Sequence, residues 1–81
     1  MVNRDDIFKS LDLHGRKTDE IEEDVVNFIF SNELPVLIIT GFSGELRRIV
    51  KSILDRYNFI YHPQYWTNEG CLVIMEQNEK H

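Results

Sequence analysis

The stretch Leu11-Asp12-Leu13-His14-Gly15 sets a carboxylate and an imidazole two residues apart, between leucines and ahead of a glycine. Strict apolar–polar alternation predicts a half-buried strand. Leu11 and Leu13 would then face the core, and Asp12 and His14 would share the opposite face, about 7 Å apart at Cα. At that spacing both can act on one substrate, metal or water. His14 has the chemistry of a general acid or base, and Asp12 that of a group that orients it or holds a divalent metal such as Mg2+ or Mn2+. The plainer reading is a strand with a polar outer face. Asp is depleted in strands, so its place there needs a reason.

A second set of residues follows the apolar run Val36–Ile39. Thr40-Gly41-Phe42-Ser43-Gly44 is a short loop leading into a helical pattern. Backbone N–H groups at a helix start are free and form an anion site. Gly41 and Gly44 let a phosphate approach the backbone closely. Arg47, Arg48 and Lys51 lie in the first two turns of that helix, and residues 34–56 carry four bases against two acids. The spacing is not that of a P-loop, and a plain strand-to-helix turn is the competing reading. His14-Gly15 and Thr40-Gly41 each end a strand. If the two strands are parallel, they meet at one sheet edge, where α/β sheets bind ligands. The phosphate-binding set is therefore Gly15, Thr40, Gly41, Ser43, Gly44, Arg47, Arg48 and Lys51. Tyr65 and Trp66 sit in a later loop, where they would stack on a nucleobase or form a hydrophobic lid.

The elements that must position these groups are legible from periodicity. Met1–Lys9 reads as a lead-in and Ser10–Leu13 as the first strand. Thr18 reads as the N-cap of a helix to about Asn32, with Asp19, Glu20, Glu22 and Glu23 near its positive end. Ile21, Val25, Phe28 and Ile29 give that helix one apolar face. Val36–Ile39 reads as a strand buried on both faces or in a parallel sheet. From Glu45, Leu46, Ile49, Val50, Ile53, Leu54 and Tyr57 mark the clearest amphipathic helix of the chain. Phe59–Tyr61 reads as a third strand, Pro63–Gly70 as a loop, and Cys71–Met75 as a fourth strand. The order is β-α-β-α-β-β. A right-handed crossover makes the first two strands parallel, and the last two are expected to form a hairpin. The fold class is α/β: a two-layer sandwich, a four-stranded mixed sheet with two helices on one face. Residues 1–9 form the lead-in, 10–76 the domain and 77–81 a polar tail.

Eighty-one residues suit one domain. The single cysteine, Cys71, excludes an intrachain disulfide. No Cys/His cluster has zinc spacing, and no Ser–His–Asp arrangement can be drawn. No apolar run approaches the length of a membrane span, and no signal peptide is apparent. The expectation is a soluble, cytoplasmic protein without a membrane partner. A net charge of −5 speaks against a generic nucleic-acid binder; the positive island at 34–56 reads either as a phosphate site or as an ordinary helix surface, and charge alone favours the helix surface.

In combination, Leu11-Asp12-Leu13-His14-Gly15, the acidic helix start with Asp19-Glu20, and Ile39-Thr40-Gly41 followed by Gly44-Glu45-Leu46-Arg47 resemble the Smr (small MutS-related) domain over about residues 10–76. The resemblance implies the same β-α-β-α-β-β sandwich, similar to the C-terminal domain of translation initiation factor three. It implies an endonuclease that nicks DNA or cleaves RNA, often with a divalent metal, or a member that binds nucleic acid without cleaving it. Asp12 and His14 would be the catalytic pair, Thr40, Gly41 and Gly44 the substrate loop, and Arg47 a phosphate ligand. The second motif departs from the H-G-x-G of many members: here it reads T-G-F-S-G, with Ser43 in place of the second glycine. The alternative to a nuclease is a non-catalytic module that uses the same edge for nucleic acid or protein, as an appendage of a larger assembly.

Overall fold

A computed structural model describes residues 9–65 and 68–78; the side chains of residues 65, 68 and 69 lie outside that description. The elements run β1 (Lys9–Asp12), α1 (Thr18–Phe30), β2 (Val36–Ile39), α2 (Gly44–Arg56), β3 (Phe59–Tyr65) and β4 (Asn68–Gln77). The order β-α-β-α-β-β is the expected one. The four strands form one mixed sheet in the order β1-β2-β4-β3. β1 and β2 are parallel, with Leu11 opposite Ile38. β4 runs antiparallel to both β2 and β3.

Alternation along the strands sends Val36, Ile38, Leu72 and Ile74 to the face that meets the helices. There they join Ile21, Val25 and Ile29 of α1 and Val50, Ile53 and Leu54 of α2 in one core cluster. Because both helices enter the same cluster, both cover the same face of the sheet. Leu37 and Val73, on the other face, are also buried. β2 therefore lies inside the sheet and is closed on both faces, as its apolar run predicts. The helices are tied to each other at the surface: Arg56 Nη1 of α2 donates to both carboxylate oxygens of Glu22 in α1 at 2.8 Å. No described helix is long and apolar enough to cross a membrane.

Four sequence expectations change. Lys9 is the first residue of β1, not the end of a lead-in, because it pairs in register with Val36. Thr18 is the first residue of α1, not its cap; Lys17 is the N-cap, without a side-chain cap hydrogen bond. Pro63–Gly70 is not a loop. β3 continues to Tyr65 and β4 begins at Asn68, and Tyr65 pairs with Asn68. Proline usually ends a strand, which is why Pro63 points to a loop. β3 is an edge strand, however, where a missing N–H costs little, and the register shifts between Pro63 and Tyr65. Finally, β1 stops at Asp12, so His14 lies beyond the strand that was expected to carry it.

Candidate functional site

His14 occupies a turn built by its neighbours. The Leu13 N–H still donates to the Ile39 carbonyl at 2.9 Å, which makes Leu13 the last residue held to β2. The Arg16 N–H then donates back to the Leu13 carbonyl at 3.0 Å. Gly15, third in that four-residue turn, has φ +80. Positive φ at this position is what glycine supplies at no steric cost. The Asp12 carboxylate completes the turn: its Oδ1 accepts the His14 backbone N–H at 2.9 Å. Asp12 thus acts on the backbone of His14, an Asx-type role common at chain reversals. Both side chains are exposed.

The second loop is pinned from the opposite side. Thr40 and Gly41 both donate their N–H groups to the Gly70 carbonyl of β4, at 2.8 and 3.1 Å. The Thr40 hydroxyl lies 3.3 Å from the same carbonyl, and Thr40 is buried. Gly41 has φ +67 and turns the chain outward. Ser43 is the N-cap of α2, its Oγ accepting the Leu46 N–H at 3.1 Å. The residue that stands in place of a glycine thus supplies the helix start, and it occupies one of the N–H groups expected to meet a phosphate. Glu45, in the same first turn, adds a negative charge there.

The two loops, at the carboxyl ends of the parallel strands β1 and β2, enclose a cleft of about 540 Å³. Its floor is apolar, formed by Leu13, Ile21, Leu46 and Ile49. His14, Gly15, Thr40, Gly41 and Ser43 all line it, joined by Arg16 and Glu45. Arg16 is anchored by an ion pair to Asp24 of α1 at 2.7 Å. A second groove, of about 500 Å³, runs along α2 and is lined by Gly44, Arg47, Arg48, Lys51, Ser52 and Asp55. The structure therefore divides the sequence-predicted site residues between two grooves on either side of the α2 start. Asp12 lines neither. Arg47 is half-buried, and its Nε has no hydrogen-bond partner among the described residues.

Tyr65 closes β3, but its side chain lies outside the described residues, as does Trp66 altogether. The exposed aromatic that the structure does place at the site is Phe42, 89% exposed on the rim of the cleft. A phenylalanine between two glycine-bearing turns was the signal for it in the sequence. Among the described residues, no group of three or more His, Cys, Asp or Glu side chains is arranged to hold a metal ion. Asp12, with one carboxylate oxygen engaged by His14, is a thin donor set for Mg2+ or Mn2+. The described residues thus do not by themselves assemble a donor set for a resident metal. Comparison with protein-family models, with curated proteins and with solved structures returned no match.

Proposed function

We propose that this chain is an Smr-like nucleic-acid-binding domain that acts as an endonuclease on the phosphodiester backbone of RNA or DNA. One observation carries the reading. His14 and the glycine-bearing β2–α2 loop line a cleft at the carboxyl ends of β1 and β2, and the basic face of α2 lines a groove that adjoins it at the α2 start. Arg47, Arg48 and Lys51 provide the charge that holds phosphates. His14 takes a proton from the attacking water as the P–O bond breaks, and solvent protonates the leaving oxygen. Asp12 is a positioning residue that fixes the turn presenting His14. No step is assigned to a metal; Mg2+ usually sits on one or two carboxylates plus substrate phosphates, so a cation arriving with the substrate is an arm of the test.

A binding-only module has its own support. Ser43 and Asp12 are engaged by backbone N–H groups, and Glu45 stands on the cleft rim. On that reading the same edge holds nucleic acid, or a protein within a larger assembly, in the cytoplasm. The deciding experiment incubates purified protein with structured RNA and with supercoiled plasmid, in Mg2+, in Mn2+ and in EDTA. Cleavage that falls by about 10²-fold or more in His14→Ala supports the nuclease. Equal background from wild type and variant ends it. Binding that Arg47→Ala weakens, without turnover, supports the module. No binding at low salt points to a protein partner.

A further inference from the structure

We infer that Phe42 is a stacking platform for an unpaired nucleobase, so that the cleft selects single-stranded or locally unpaired nucleic acid. The inference rests on the nucleic-acid reading above. Phe42 is the most exposed of the large hydrophobic residues in the described structure, at 89%. Its loop is held rather than loose. Thr40 and Gly41 are bonded to Gly70 on one side of it, and Ser43 caps α2 on the other. The ring is therefore presented to solvent by a fixed backbone, the arrangement that keeps the ordering cost of binding low.

The surroundings separate base from phosphate. The cleft beneath Phe42 has an apolar floor of Leu13, Leu46 and Ile49, and a carboxylate, Glu45, on its rim. That floor suits a flat, uncharged ring, while His14 and Arg16, the latter ion-paired to Asp24, line the same cleft beside it. Further positive charge lies next door, on Arg47, Arg48 and Lys51 of α2. A strand laid across the α2 start would set its phosphates along the helix, with one at the cleft mouth beside His14, and turn a base into the cleft, against Phe42. A paired base, stacked within a duplex, cannot make that turn without being extruded. Stacking on an aromatic face is tolerant of base identity, so the selection is for unpaired structure, not sequence.

The test measures anisotropy of a labelled mixed-sequence single strand, as RNA and as DNA, and of the duplex made from each. The proteins are wild type, Phe42→Ala, Phe42→Leu, Phe42→Trp and Arg48→Glu. Wild type should prefer the single strand. Phe42→Ala and Phe42→Leu should each lose about tenfold for the single strand and leave duplex binding unchanged. Phe42→Trp should retain or improve it, because leucine keeps apolar area while only tryptophan keeps a π face. Arg48→Glu should weaken both forms. Unchanged single-strand affinity in Phe42→Ala, with Arg48→Glu still impaired, overturns the role of Phe42 and leaves the nucleic-acid reading standing. Absence of binding to any strand at low salt overturns both.

Discussion

Asp12 holds the meaning of the site's first motif. Alternation placed its carboxylate beside the His14 imidazole on a strand face. The structure instead bonds Oδ1 to the His14 backbone N–H at 2.9 Å, after the strand has ended. The motif was legible as a pattern, but its geometry was not, because the alternating sequence runs on to His14, two residues past the end of β1 and into the turn that Gly15 completes. The two roles make different predictions. Asn keeps an Oδ1 acceptor and loses the charge, whereas Ala loses both. If Asp12 positions His14 through the turn, Asp12→Asn should be near wild type in stability and in any His14-dependent cleavage. Asp12→Ala should lose about 1 kcal/mol, the net value of one hydrogen bond, together with the cleavage. Urea denaturation beside the plasmid and RNA assays reads both quantities. Activity lost in Asp12→Asn at unchanged stability would show instead that the carboxylate charge takes part directly.

At the scale of elements, legibility followed burial. α2 was plain because Leu46, Ile49, Val50, Ile53, Leu54 and Tyr57 keep one face apolar over three turns, and these residues do meet the core. The β3–β4 hairpin was read too short because its outer half is polar and carries Pro63, and an edge strand needs no apolar alternation. β3 is nevertheless tied to α2 by a polar contact that no periodicity reveals. The Tyr61 phenol donates to Asp55 Oδ1 at 3.0 Å. Burial, that hydrogen bond and the carboxylate's charge push the Tyr61 pKa up to about 12 from 10.0. The folded state therefore holds this proton more tightly than the unfolded chain does. The stability it adds is fully present below pH 10.0 and is lost as the pH rises toward about 12. Alkaline titration followed by tyrosine absorbance should show one of the three tyrosines ionising late. Tyr61→Phe should remove that late phase and flatten the fall in stability across the same window. A late phase that survives in Tyr61→Phe would assign it to another tyrosine.

Over the whole molecule, charge and shape work against each other. The chain carries −5, and an acidic protein repels a polyanion at long range. The fold offsets this locally. It sets Arg47, Arg48 and Lys51 on the exposed groove of α2, while the opposite, apolar face of that helix is committed to the core. Three cations on one groove are a small footprint, and that bounds the salt response. If each neutralises one phosphate of a single strand, log K against log salt should have a slope of about −2. Removing one cation, in Arg48→Ala, should reduce the slope by about 0.7. Phe42→Ala should lower affinity at every salt concentration and leave the slope unchanged, because stacking releases no counterions. Anisotropy titrations over a salt series separate the two effects. A wild-type slope near zero would mean that the α2 groove does not meet phosphates. A much steeper slope would require cations beyond these three, and the binding surface would then have to extend past the cleft and the α2 groove.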